Sequence, residues 1–213
     1  QQLQIKSFVL ANELPKTDLT KGTPPQANKI RSFLGRGELF LMVGTIEPRK
    51  GHDEILTMME ILWADINTKD LKIIFVGKRG WEVTALINRI KKHRKNGKQL
   101  FWLENCSDEY LIELYKGSAG LIAASKAEGY SLPIVESQNF GLPVFARDIP
   151  IYREIGETYL GIEYFSGESP KQIADDFRLW RRKLNQKNKP KNDASMEICW
   201  KKATKDLEKI INE

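Results

Sequence analysis

At 213 residues, 41% hydrophobic and 29% charged, the chain has the composition of a soluble globular protein and the length for one large domain or a compact domain with appendages. No apolar run approaches the length of a membrane-spanning helix, and the opening QQLQIKSFVLANELPK lacks the basic start and long apolar core of a secretory signal. The net charge of +6 suits an anionic partner, or simply a solvated basic surface.

In chain order, IKSFVLA (Ile5 to Ala11) reads as a strand, and the polar, Pro-containing stretch NELPKTDLTKGTPPQANK after it is a poor candidate for regular structure. From residue 38 onward, short apolar runs alternate with segments of helical period. The runs are ELFLMVG, LKIIFVG, QLFWL, GLIAA and LPVFA, and the first four are each followed by a helical pattern. Between the first two, Ile55, Met59, Leu62 and Ile66 recur at three- and four-residue steps. Ser107 is placed to cap the helix SDEYLIELYKG, with Leu111, Leu114 and Tyr115 on one face. Continuous apolar strands alternating with helices predict an α/β domain with a doubly wound, Rossmann-like parallel sheet over residues 38–168. Beyond it, Ile173, Phe177, Trp180 and Leu184 mark an amphipathic helix, RRKLNQKNKPKND (Arg181 to Asp193) a basic break, and Met196 to Ile211 a last helix around Trp200, Leu207 and Ile210. Residues 169–213 are thus expected to form helices packed on the domain. Trp63, Trp102, Trp180 and Trp200 read as packing residues, and His52 and His93, beside charged neighbours, as surface residues. Cys106 and Cys199 have no metal-ligand or redox-motif spacing and read as free thiols of a reducing compartment.

Ligands of an open parallel sheet bind outside the carboxyl ends of the strands. Two of those ends are chemically loaded. In GTIEPRKG (Gly44 to Gly51), Arg49 and Lys50 stand before a helix start and suit phosphate oxygens. In SKAEGYSLP (Ser125 to Pro133), Gly129 to Leu132 permit close backbone approach, and the helix beginning near Pro133 turns free N–H groups toward a ligand. Two glutamates flank that helix start. Glu136, on the helix, suits a ribose diol, and Glu128, in the loop, the hydroxyls of a second sugar. Diphosphate, ribose and sugar together describe a sugar nucleotide. Lys78 and Arg79 in GKRGW stay open between donor contact and solvent.

With these residues in view, AEGYSLPIVES resembles the E-x7-E segment of the retaining family-four glycosyltransferases, VGTIEPRKGH their donor-phosphate loop, and FGLPVFARDIPIYREI the stretch that follows. Together with ILW, GKRGW, LFWLENCSDEYL and LIAAS, the chain is most similar to mannosyltransferase domains of bacterial O-polysaccharide synthesis. The resemblance implies the C-terminal half of a GT-B fold, with residues 1–37 an interdomain crossover strand and loop. It implies that the N-terminal half, which carries most of the acceptor site, lies outside this chain, and that the isolated chain folds without transferring sugar. Lys50 would hold the donor phosphate, with Arg49 beside it. The amides of Gly129, Tyr130, Ser131 and Leu132 would hold phosphate and sugar, and Glu136 the ribose. Gly44, Thr45, Asn105 and Cys106 would complete the donor site. Thr45 and Ser131 stand where many members carry arginine and glycine, and Asn105 replaces another glycine near the base pocket. Lys50 and Glu128 would be the catalytic pair.

The reading is therefore a retaining transfer of mannose from GDP-mannose to a growing polysaccharide such as O-antigen. It expects no cofactor and no metal, a glycan or lipid-linked glycan acceptor, and a cytoplasmic location, peripheral at the inner face of the cell membrane. The basic run Arg181 to Lys191 stays open between a solvated linker and contact with an anionic membrane. The alternative is a non-catalytic nucleotide-sugar-binding or docking module. Nucleic acid is not expected as a partner, because no such module signature is present and the aromatics do not interleave with the basic run.

Overall fold

Strand-forming runs pair in one parallel sheet whose order follows from where each crossover helix can pack. The computed structural model describes residues 23–186 and 200–212. The helices are α1 (Ala27–Arg31), α2 (His52–Trp63), α3 (Thr84–Lys92), α4 (Asp108–Gly117), α5 (Leu132–Gln138), α6 (Pro150–Thr158), α7 (Pro170–Gln186) and α8 (Trp200–Asn212). The strands are β1 (Leu39–Val43), β2 (Lys72–Val76), β3 (Leu100–Leu103), β4 (Gly120–Ala123), β5 (Val144–Arg147) and β6 (Ile162–Phe165). Among the described residues they form a six-stranded sheet in the order β3-β2-β1-β4-β5-β6, every neighbouring pair parallel. The chain winds outward from β1 to β3, returns to β4 beside β1, and winds outward again. That reversal opens a crevice at the carboxyl ends of β1 and β4.

Both faces of the sheet are covered, which is why its strands are apolar without alternation. On one face Phe40, Met42, Ile73, Phe75, Ile122 and Phe145 pack under α2, α3 and α7. On the other, Leu39, Leu41, Ile74, Val76, Leu121 and Val144 pack under α1, α4, α5 and α6. The expected doubly wound parallel sheet is the one observed. Ser107 caps α4 as its position suggests, accepting from the Tyr110 N–H.

Several local expectations change. α2 stops at Trp63 because the Asp65 carboxylate takes the Asn67 N–H and the Thr68 hydroxyl donates to the Leu62 carbonyl. Ile66, expected on the buried face of that helix, is 71% exposed. Ala27–Arg31, in the stretch expected to be irregular, is the short helix α1, held by the buried side chains of Ala27 and Ile30. α7 runs on through Arg181 to Gln186, so the first half of the basic run is helical rather than a break. His52 is only 1% exposed, and His93 is mostly covered, tilted against Trp63 at 5.4 Å and paired with Glu60 at 3.2 Å. Both histidines follow the packing of the face they begin or end, not the charge of their sequence neighbours. Trp63 and Trp180 are buried, and the Trp102 indole donates to the Gly77 carbonyl. The strand expected at Ile5 to Ala11, Cys199, the Met196 end of the last helix and residues 187–193 lie outside the described residues.

Candidate functional site

The two loaded loops meet at the sheet reversal. The β1 loop begins at Gly44, whose φ of 141° belongs to the glycine region of backbone space, and the Lys50 side chain folds back across it. A 3₁₀ turn, Pro48–Lys50, then leads to Gly51, which is left-handed. A Cβ at Gly51 would stand 2.5 Å from the Ala124 carbonyl oxygen, so only glycine lets this loop close on the end of β4. The Lys126 N–H donates to the Arg49 carbonyl at 2.8 Å, and Glu54 of α2 pairs with both Lys126 and Arg147. The loops are thus fixed to each other before any ligand arrives.

Glu128 sits at the centre of this junction. Lys50 Nζ donates to its Oε1, Ser125 Oγ to the same oxygen at 2.7 Å, and Arg49 Nη1 to its Oε2 at 2.9 Å. Arg49 Nη1 also reaches the Ala127 carbonyl at 3.0 Å, while its Nη2 pairs with Glu47 at 2.8 Å. The Glu128 side chain is only 7% exposed. Burial pushes its pKa up, but the bonds from Lys50, Ser125 and Arg49 outweigh burial and leave the carboxyl below its ordinary range. It is therefore a carboxylate at neutral pH, and it balances the cations the sequence assigned to phosphate. Arg49 remains 43% exposed.

Glu136 is held differently. It lies on α5, which starts at Leu132 with Pro133 in its first turn and Ser131 ahead of it. The buried Tyr115 hydroxyl donates to Glu136 Oε2 at 2.8 Å. Burial, with a smaller push from the Asp108 charge, outweighs this bond and raises the Glu136 carboxyl above its ordinary value. Tyr115 is itself pushed far up by burial and by Glu136, so it remains a donor. The Tyr115 ring stacks on Phe140 at 5.6 Å, which fixes the direction of the hydroxyl.

The remaining candidates line the same edge of the sheet. Thr45 and Asn105 are exposed, Gly129 has open space where a Cβ would point, Leu132 is exposed and Ser131 is buried. The buried Tyr152 of α6 lies close to Ser125 and Ser131 of the β4 loop. The Tyr130 hydroxyl is enclosed with no partner among the described residues. Cys106 is a free, half-buried thiol pushed up to about 12 by burial and by Asp108 and Glu113, too weakly acidic for nucleophilic use. Arg79 turns to Thr84 at 2.7 Å, and Lys78 is exposed. The sequence reading missed Tyr115, Ser125, Glu47 and Tyr152. Ser125, three residues before Glu128, and Glu47, two before Arg49, carried a local signal; Tyr115 and Tyr152 are brought in by the fold.

Comparison with known proteins decides the class. The sequence pattern of the family described as Glycosyl transferases group 1 matches residues 26–195. The chain belongs to that family. It is 38% identical over 207 residues to the serotype-specific mannosyltransferase WbdA of Escherichia coli, a match spanning 97% of this chain and 25% of that protein. It is 30% identical over 115 residues, 54% of this chain, to the O-antigen chain mannosyltransferase B of Escherichia coli. The chain thus spans about a quarter of the length of its WbdA relative. Its fold matches the C-terminal domain of the group 1 glycosyltransferase LpcC from Francisella tularensis, with a TM-score of 0.58 at 18% identity, covering 88% of this chain and 94% of that one. It matches Anabaena HepE, solved with UDP-glucose, with a TM-score of 0.66 at 16% identity, over 90% of this chain and 53% of that one. This group 1 glycosyltransferase domain therefore has the Rossmann-like fold of the C-terminal half of a GT-B enzyme.

Proposed function

We propose that this domain binds GDP-mannose and serves retaining mannosyl transfer to a growing O-polysaccharide. The observation that carries the proposal is the Lys50–Glu128–Arg49 cluster at the sheet reversal, in a chain whose relatives are named as mannosyltransferases. The donor diphosphate would share Lys50 and Arg49 with Glu128, and the first turn of α5 would face it. As the bond from the sugar to the diphosphate breaks, negative charge grows on the leaving oxygen beside these cations, where fixed donors stabilise it most. Glu128, kept ionised, orients the sugar and faces the positive charge growing on its ring. Glu136, oriented by Tyr115, accepts the ribose hydroxyls. The cations supply the charge that a metal would otherwise bring, so the reaction as proposed needs none. The acceptor, a glycan or lipid-linked glycan, would be held largely by a further domain. The setting proposed is the cytoplasm, at the inner face of the cell membrane.

The experiment that tests this compares GDP with pyrophosphate by titration calorimetry. Glu136→Ala should lose about 1.5–3 kcal/mol toward GDP and nothing toward pyrophosphate, with the loss persisting in high salt. Lys50→Ala should weaken both ligands, by a margin that shrinks as salt screens the charge pair. An equal loss of pyrophosphate binding in the two variants would overturn this division of roles. No binding of GDP at millimolar concentration would remove the donor reading itself.

A further inference from the structure

Trp81 is the aromatic the donor site leaves unused. It is 56% exposed, at the carboxyl end of β2 on the same edge of the sheet as the crevice. Single exposed apolar residues are ordinary on any surface. What sets Trp81 apart is how firmly it is held there. Its indole N–H donates to Glu47 Oε2 at 2.9 Å, and the other oxygen of Glu47 pairs with Arg49 at 2.8 Å. Glu47, 12% exposed, is therefore a bracket between the indole and the cation that holds Glu128.

The backbone around Trp81 is fixed as well. Ile46 N–H donates to the Lys78 carbonyl and Gly80 N–H to the Ile46 carbonyl, each at 2.9 Å, so the β2 loop is zipped onto the β1 loop. A Cβ at Gly80 would stand 2.7 Å from the Ile46 carbonyl oxygen, so the two loops meet in a close backbone contact that glycine allows. Glu82, next after Trp81, has a φ of 50°, the one left-handed residue other than glycine among the described residues. Such a conformation costs of order 1–3 kcal/mol and persists only where its surroundings impose it. An exposed indole, held by a half-buried carboxylate and a strained backbone, has lost side-chain freedom without gaining burial. That is the state of a preorganised binding surface.

We propose that Trp81 is a stacking platform for a pyranose ring of the glycan acceptor, an inference that rests on the reading of this domain as glycan-extending. A pyranose presents an apolar C–H face and an equatorial rim of hydroxyls. The indole offers the matching apolar face, and the exposed Arg49 a donor for the rim. The bracket runs from Trp81 through Glu47 and Arg49 to Glu128, the residue assigned to the transferred sugar. The indole is therefore tied through its N–H to the sugar end of the donor site, while the backbone of the same loop also meets the β3 loop, where the Arg79 N–H donates to Glu104 at 3.4 Å and the base is expected.

The test follows the indole N–H signals of the ¹⁵N-labelled chain by NMR, with the Trp81 signal identified by its loss in Trp81→Phe. α-Linked mannotriose is expected to shift that signal. Trp81→Ala should weaken mannotriose binding tenfold or more, Trp81→Phe should retain part of it, and the affinity for GDP should change less than twofold in either variant. Because Trp81 is exposed, neither variant disturbs the core. A Trp81 signal unmoved by mannotriose, or equal mannotriose affinity in Trp81→Ala, overturns the platform while GDP binding still stands for the donor site. Guanosine shifting the signal with mannotriose silent makes Trp81 a base platform and overturns it also. Mannotriose binding through Trp81 without GDP binding upholds the platform and sinks the donor reading.

Discussion

Glu128 and Glu136 show how two identical side chains eight positions apart are driven to opposite electrostatic states. Glu128 meets two cations and a hydroxyl, and its pKa is lowered against the push of burial. Glu136 meets only a phenol, and burial wins. The difference belongs to the partners, none of which is a sequence neighbour except Ser125. Tyr115 illustrates the consequence. Its bond lowers the Glu136 pKa against burial, so Tyr115→Phe should raise that pKa further. If Glu136 accepts the ribose as proposed, its protonation removes a charged acceptor, and GDP affinity should fall as pH drops through the Glu136 pKa. In Tyr115→Phe that fall should begin at a higher pH than in the wild type, with pyrophosphate binding unaffected. Calorimetric titrations across pH 4 to 8 read the shift. An unshifted acid limb would mean that Tyr115 supports only packing, since loss of its hydroxyl then changes nothing at the carboxylate. The identities of Lys50, Arg49, Glu128 and Glu136 were legible because each stands in a local motif beside a glycine or a helix start. Their mutual pairing was not, because it joins loops almost eighty residues apart.

At the scale of elements, β1 to β5 were readable because strands buried on both faces must be apolar without interruption. β6 was not, for the converse reason. Unlike β3 at the other edge of the sheet, which is mostly buried, β6 has Ile162, Glu163 and Tyr164 half-buried, and IEYF carries no continuous apolar signal. α2 holds the other surprise. Its first residue, His52, has both ring nitrogens buried without a partner among the described residues, with its ring edge-on to Phe75 at 5.1 Å. Burial, aided by the Lys50 charge, lowers its pKa from 6.5 to about 3. The native state thus keeps His52 neutral where the unfolded chain binds a proton. Stability from this group is complete above about pH 6.5 and is lost as pH falls toward about 3. The slope in that window is at most about 1.4 kcal/mol per pH unit. Urea midpoints of His52→Leu should therefore depend less steeply on pH between 6.5 and 4 than those of the wild type. Parallel slopes would show that His52 does not resist protonation in the folded protein.

Across the whole molecule, α7 is bound into the sheet as firmly as the crossover helices. Phe177 sits edge-on to both Phe40 and Phe145, and Trp180 stacks on Phe145 at 5.1 Å. The sequence period of Ile173, Phe177 and Trp180 announced a buried face, but not the residue that makes room for it. That residue is Gly120, the first of β4, where a Cβ would lie 2.4 Å from the Trp180 ring. A glycine in a central strand weakens it locally, and here the indole occupies the space a side chain would take. Removing the indole should cost about 3–5 kcal/mol, a large part of the total stability of about 5–15 kcal/mol typical of such domains. Gly120→Ala should also destabilise, by forcing the ring off its stack on Phe145. The two changes share one space, so they should not add: in Trp180→Ala the added methyl meets a cavity, and Gly120→Ala should cost less there than in the wild type or even stabilise. Gly120 opens β4 at its amino end, whereas the proposed donor site lies at the carboxyl ends, so GDP affinity of the folded protein should hold in all three variants. Urea unfolding of the four proteins gives the coupling directly. Strict additivity would mean that Trp180 and Gly120 do not compete for the same volume.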